Sequence, residues 1–222
     1  MKLFTSKSGP GPRRIQHFMQ LKGISGVEQI HLNTSLGETR SAAFLKINPS
    51  GRIPVLVTDH GTCLFESHAI LQYLEECYPD PPMQGVSEGE RRRVDLQATY
   101  INEFFHACFL SSSHTVPYNS RFMTQVHEID LVTRPFWWMR LEQVSEVMGA
   151  SRFLAGDQPT IADCMLFPML EYLKPMYGFV IPPHQRSLYA WYDRFLDLPG
   201  IAELKLEDDH HEAYIAHYGT RI

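Results

Sequence analysis

Pro54 stands directly before Val55-Leu56-Val57, and this placement settles how the chain around it can fold. Proline has no N–H, so it is tolerated at the head of a strand and not inside one. The β-branched and apolar run that follows therefore reads as a strand. Asp59-His60-Gly61 supplies a turn, and residues 62–65 read as a returning antiparallel strand. Glu66 and Ser67 then open a helix, whose apolar positions Ala69, Ile70, Tyr73, Leu74 and Cys77 recur at helical spacing until Pro79 stops it. A serine at a helix start brings a hydroxyl and free backbone N–H groups to the positive end of the helix, a place for a carboxylate. Ile53, just upstream, has an edge backbone free to pair with an extended peptide. One loop and one helix end thus offer a seat for a small acidic peptide.

The rest of the chain supports an α/β unit followed by a helical one. Residues 1–6 hold a short strand centred on Leu3-Phe4, and Ser8-Gly9-Pro10-Gly11-Pro12 is a loop. Pro12 fits the first position of a helix whose buried stripe is Ile15, Phe18, Met19 and Leu21, and Gly23 ends it. Residues 27–32 alternate as a second strand, and residues 34–46 are polar, then weakly helical. Between residues 79 and 89 a proline-rich stretch forms a stiff linker. Beyond it Val94, Ala98, Ile101, Phe105 and Cys108 mark one long helix, with Ser111, Ser112 and Ser113 read as its break. A second long helix is expected over residues 126–148, bent by Pro135.

A chain of 222 residues can bury a substantial core in one large domain or two modest ones. Its net charge of −5 gives no reason to expect nucleic acid or an anionic membrane as partner. The four cysteines lie far apart with no CxxC spacing, so neither a zinc site nor a disulfide framework is indicated. With no signal segment and no apolar run of membrane-spanning length, a reduced, cytoplasmic setting is expected. Asp208-Asp209-His210-His211-Glu212 is read as a solvated tail and no metal site is expected, because adjacent residues on a helix do not converge on one ion.

The motif N-P-x-G-x-[IV]-P-x-L over residues 48–56, followed by a hairpin and E-S-x-A-I over residues 66–70, resembles the glutathione-binding half of soluble glutathione transferases. The stretch over residues 153–163, F-L-x-G-D-x-P-[TS]-x-A-D, resembles the segment that caps the central C-terminal helix in the same family. There Asp163 serves folding, so it is left out of the active site; Thr160 and Asp163 also have the spacing of an N-cap and its reciprocal partner. The resemblance implies a thioredoxin-like α/β domain over residues 1–80, a linker over 81–88 and an all-α domain with a hydrophobic cleft over 89–222. It also implies a homodimer that takes glutathione as co-substrate and a small hydrophobic electrophile as second substrate.

Within that resemblance, Pro54 is the cis proline and Ile53 pairs with the cysteinyl backbone of glutathione. Glu66 and Ser67 take the γ-glutamyl amino and carboxylate groups, while Arg40 and Arg52, with Lys46 a weaker third, are candidates for the glycyl carboxylate. The loop before the first helix is where the family keeps its catalytic hydroxyl or thiol. Neither Cys nor Tyr occurs there, so the serine-type members (theta- or zeta-like, or bacterial) fit best, with Ser8 as candidate and Ser6 in reserve. A backbone N–H of Gly9 or Gly11 is the alternative. Ser8-Gly9-Pro10 with Arg13 resembles the family's S-x-P-x-R, although Pro12 adds a residue. Bringing a thiol from pKa ~8.5 down by about two units takes about 2.7 kcal/mol of preferential thiolate stabilisation. A donated hydrogen bond plus a helix N-terminus is a source of that size.

Tyr100, Phe104, Phe105, Phe109 and Tyr118 are the candidates for the second-substrate cleft, with His106 and His114 as possible acid–base groups. The alternatives in the enzyme class are a glutathione-dependent isomerase, whose Ser-Ser-Cys signature is absent here, and a reductive dehalogenase. A non-catalytic glutathione-binding or regulatory protein on the same scaffold is the alternative from another class.

Overall fold

A computed structural model describes residues 1–34, 36–121 and 123–204, apart from the side chains of Tyr118, Arg121, Met176 and Tyr177. The tail cluster at residues 208–212 therefore lies outside the described residues.

Strand β1 (Lys2–Thr5) feeds helix α1 (Pro10–Lys22), which crosses over to β2 (Glu28–His31) lying parallel to β1. A parallel pair needs such a crossover, and the helix supplies it. A short helix α2 (Ala42–Ile47) leads to β3 (Val55–Val57), antiparallel to β1 with Leu3 opposite Leu56 and Phe4 opposite Val55. β4 (Cys63–Leu64) then pairs with β3, completing a sheet of order β2-β1-β3-β4, and α3 (Ser67–Cys77) follows. Leu3, Leu56, Ile15, Phe18, Ile70 and Leu74 are all fully buried, so α1 and α3 share one apolar layer with the sheet. On α2, Phe44 meets Phe4 with ring centroids 5.7 Å apart.

One start differs from the sequence reading. Helix α1 begins at Pro10 with Gly9 as N-cap, two residues before Pro12, so both prolines sit in its first turn. Its C-cap Gly23 adopts φ 65°, the left-handed conformation that glycine adopts without penalty.

The linker is held rather than loose. The Lys22 ammonium, on α1, reaches Glu75 at 2.6 Å and the carbonyls of Tyr78 and Pro81. Glu75 in turn accepts the N–H groups of Met83 and Gln84. Ser87 and Glu90 then form a capping box that starts α4 (Glu88–Thr115).

Helix α4 runs through Ser111, Ser112 and Ser113, which correct the expected break. All three serines are buried; Ser111 donates to Asp130, and Ser112 donates to the Phe109 carbonyl at 3.1 Å. Back-bonding of that kind lets hydroxyl residues stay helical. Antiparallel to α4 lies α5 (Ile129–Met148), burying Trp137, Leu141 and Val144 against it. Helix α6 (Ile161–Tyr177) is buried over its whole first half and touches α1, α4 and α7 (Arg186–Leu196). It is the axle of the helical layer. Among the described residues no helix is long and apolar enough to cross a membrane.

Candidate active site

Where the sheet's loops meet α4, a cavity of about 380 Å³ opens. Four of the segments that line it are each shaped by local chemistry.

The first is the start of α1. The Ser6 hydroxyl accepts the Gly9 N–H at 3.4 Å, and the Ser6 carbonyl accepts from Gln16 at 2.9 Å, so the loop is folded back on itself. The first turn of a helix normally offers unpaired N–H donors. Here Pro10 and Pro12 have none and the Arg13 N–H is bonded to the Gly9 carbonyl, which leaves Gly11 as the turn's donor without a partner among the described residues. Ser8 and Gly11 both line the cavity.

The second is the loop over residues 48–54. Asn48 organises it from a buried position: its amide donates to the Arg52 carbonyl at 2.7 Å and its oxygen accepts the Ser50 N–H and hydroxyl. Gly51 sits at φ 62°, with room for no Cβ, since one would fall 2.9 Å from the Thr39 carbonyl oxygen. The Ile53–Pro54 bond is cis, and among the described residues the Ile53 backbone has no hydrogen-bond partner.

The third is the start of α3. Glu66 takes φ 64°, and it is the non-glycine residue with positive φ among the described residues. Such backbone strain costs roughly 1–3 kcal/mol and gathers at functional sites. Ser67, the first residue of the helix, is buried with its hydroxyl accepting from Arg14.

The fourth is one face of α4. Phe105 and Phe109 stack nearly parallel with centroids 6.5 Å apart, beside His106. The Arg52 guanidinium lies 5.1 Å from the centre of Phe109, spanning the cleft from the α/β side. A second cavity of about 290 Å³ continues past the same two rings, adding Arg40, Ser112 and Ser113 to its lining.

Ser6, Ser8, Arg52, Ile53, Pro54, Glu66, Ser67, Phe105 and Phe109 thus converge on one cavity, and Arg40 on its continuation. The sequence profiles agree with this arrangement: "Glutathione S-transferase, N-terminal domain" matches residues 9–77 and "Glutathione S-transferase, C-terminal domain" matches residues 140–194. A maleylacetoacetate isomerase of Pseudomonas aeruginosa is 30% identical over 77% of this chain and 80% of its own. The chain belongs to the glutathione S-transferase family. Glutathione S-transferase 2 of Saccharomyces cerevisiae is 24% identical over 92% of this chain and 89% of its own. A glutathione S-transferase domain-containing protein of Marinobacter aquaeolei superposes with a TM-score of 0.80 at 26% identity, covering 91% of this chain and all of the other.

Several expected transferase residues fall elsewhere. Phe104 is fully buried, because it shares its helix face with Ile101 and Cys108 rather than with Phe105 and Phe109. Tyr100 packs against the core beneath the Arg140 guanidinium, 5.5 Å from its ring, and lines neither cavity. Lys46 is exposed away from both, and His114 is spent on the Thr124 carbonyl at 2.7 Å. The side chain of Tyr118 lies outside the described residues. Asp163 accepts the Thr160 N–H and hydroxyl, both at 2.7 Å, and is not part of the cavity lining. Burial pushes its carboxyl up, while these donors and those of Leu154 and Trp191 pull it down.

Sequence reading missed Asn119 and Tyr172 in the cavity wall, and Arg14 behind it. Arg14 had a legible signal: it stands four residues before buried Phe18, on the helix face that turns inward. Among the described residues no group of three or more His, Cys, Asp or Glu is placed to hold a metal ion.

Proposed function

We propose that the protein is a glutathione transferase that holds glutathione in the larger cavity, ionises its thiol, and directs it at a small hydrophobic electrophile lying against Phe105 and Phe109. The observation that carries this reading is the convergence of the unpaired Ile53 backbone, the buried Ser67 hydroxyl and the α1 N-terminus on one cavity. An extended peptide pairs with the first, and a carboxylate with the second. Glu66 faces the ligand's ammonium, and Arg52 with Arg40 the far carboxylate.

Bound glutathione supplies the nucleophile, so the chain's own task is positioning and charge stabilisation. Ser8 donates its hydroxyl to the thiolate, with the Gly11 N–H of the α1 first turn as the partner that the helix dipole strengthens. The Phe105–Phe109 stack excludes water and offers aromatic faces to the electrophile. The likeness to an enzyme named maleylacetoacetate isomerase supports a second reading, in which the same thiolate adds and leaves again so that glutathione is recycled. The four free cysteines fit a reducing, cytoplasmic compartment, and a detoxifying role there goes with the family resemblance. A homodimer is carried by the family resemblance.

The test is a pH titration of bound glutathione by ultraviolet thiolate absorbance, in wild type and Ser8→Ala. The wild type is expected to ionise the thiol at least about one pH unit below its free value of about 8.5. Loss of that shift in Ser8→Ala assigns the hydroxyl; its survival passes the role to Gly11. Binding with no shift in the wild type contradicts transferase chemistry. Recovery of all glutathione after turnover selects the isomerase reading.

A further inference from the structure

The two rings on the cleft face of α4 each carry a guanidinium, and the two cations are held in opposite ways. The Arg14 guanidinium carbon lies 4.2 Å from the centre of Phe105. That side chain is 1% exposed and donates to the Ser67 hydroxyl, to Asn102 and to the Met165 carbonyl, so this contact is fixed. Arg52 lies 5.1 Å from the centre of Phe109, and only its backbone is anchored, by the Asn48 amide that holds its carbonyl at 2.7 Å. Its exposed guanidinium makes no hydrogen bond and no ion pair among the described residues. This second contact can be undone.

Its position gives the loose contact a consequence. Phe109 lines both cavities, whereas Arg52 lines the larger one alone, so the cation covers the ring where the two cavities join. A guanidinium and a planar electrophile cannot both lie on the same ring face, since each needs van der Waals contact with it. A carboxylate makes the opposite claim on the cation. Its paired, charge-assisted hydrogen bonds hold a guanidinium more strongly than an exposed ring does. One side chain thus answers to a ligand in each cavity.

We propose that Arg52 couples the two substrate seats: it covers Phe109 while the larger cavity is empty, and it yields that ring to the electrophile when the glycyl carboxylate of glutathione draws it away. This rests on the function proposed above. Glutathione then prepares the seat of its own reaction partner, and an electrophile arriving first meets a covered ring. Because binding free energies are linked, the coupling is reciprocal, and a ligand stacked on Phe109 tightens glutathione by the same factor. Its size is that of one exposed cation–π contact, about two- to fivefold in affinity.

The test is a fluorescence titration of 1-naphthol, a neutral aromatic that does not react with a thiol, on wild type and Arg52→Gln, each checked for a native thermal transition. The probe is titrated alone, with S-methylglutathione, and with the glycyl carboxamide of S-methylglutathione, each peptide at a concentration shown by calorimetry to saturate. In the wild type S-methylglutathione should tighten 1-naphthol about two- to fivefold, while the carboxamide, which has no carboxylate to draw the cation away, should leave it unchanged. In Arg52→Gln the probe alone should already bind about two- to fivefold tighter than in the wild type, and S-methylglutathione should add nothing. A merely structural Arg52 would shift the probe's affinity equally with and without peptide and keep their ratio. Such a result overturns the proposal, as do equal tightening by the carboxamide, no tightening in the wild type, and a probe that binds none of the forms. The comparison of the two proteins with 1-naphthol alone needs no peptide, so it decides even where Arg52→Gln binds none. Failure of the wild type to bind S-methylglutathione would instead remove the function on which the coupling rests.

Discussion

Asp163→Ala should be among the most damaging single substitutions in the chain, for reasons that go beyond the cap it closes. The fully buried carboxylate accepts four donors: the N–H groups of Leu154 (2.9 Å) and Thr160 (2.7 Å), the Thr160 hydroxyl (2.7 Å) and the Trp191 indole N–H (2.7 Å). It therefore ties the segment before α6, the first turn of α6, and α7 to a single point. Alanine orphans three donors whose directions are fixed; the hydroxyl can rotate to another acceptor. Each orphan costs about 1–3 kcal/mol. Release of the buried charge from its desolvation penalty offsets part of that, which leaves a net loss of about 3–5 kcal/mol, the range for breaking a buried charged network. Against a typical total stability of about 5–15 kcal/mol this is a large fraction.

Urea unfolding followed by far-ultraviolet dichroism measures the loss, and a double-mutant cycle locates it. Trp191→Phe alone removes one of four donors and should cost about 1 kcal/mol. In the Asp163→Ala background the same change removes an orphan instead, so it should cost nothing or restore stability, a coupling of about 1 kcal/mol or more. A loss in Asp163→Ala no larger than the ~1 kcal/mol of an ordinary cap would refute the reasoning. So would additivity of the two substitutions.

Phe104→Ala and Phe109→Ala, five positions apart on α4, should behave oppositely: the buried ring costs about 3–5 kcal/mol of stability, as large core truncations do. The cleft ring, 39% exposed, should cost under about 1 kcal/mol yet raise KM for a hydrophobic electrophile. Equal stability losses would contradict the division of the helix into core and cleft faces. Gly51→Ala forces a left-handed backbone on a residue with a Cβ and drives that Cβ toward the Thr39 carbonyl, so it should cost about 1–2 kcal/mol and weaken glutathione binding. Unchanged affinity would show that the lip of residues 48–54 has no part in binding. Burial, partly countered by Glu171, holds the His17 imidazole below its ordinary 6.5. The unfolded chain then takes the proton first, so stability is full above about pH 6.5 and lost as pH falls toward the lowered folded value. His68, lowered by burial and by Arg14, acts in the same direction. Urea midpoints across that window should fall with acid and fall less in His17→Gln; an identical slope would contradict it.

What was legible from sequence is what is encoded by neighbours. Pro54 at a strand head, Ser67 at a helix start and the pairing of Thr160 with Asp163 are each fixed within a few residues, and they stand where the spacing puts them. The α1 start was misplaced because two prolines fit a first turn and only the Gly9 cap selects Pro10. The serines of α4 read as a break because their compensation is tertiary: Asp130, which Ser111 bonds, lies on another helix. Likewise the burial of Arg14 has a local signal but its partners do not: Ser67, Asn102 and Met165 are 53, 88 and 151 residues away. Tyr100 and Phe104 were misassigned to the cleft because an aromatic run on one helix shows its period but not which face meets the core.

The most direct measurement is proton release on binding glutathione, obtained by calorimetry in buffers of different ionisation enthalpy. If the cavity lowers the thiol pKa by about two units from ~8.5, roughly 0.8 of a proton leaves per glutathione bound at about pH 7.5, and none with an S-methylated ligand that has no thiol proton. Equal release by the two ligands, or binding of glutathione without release, would contradict a site built to hold a thiolate.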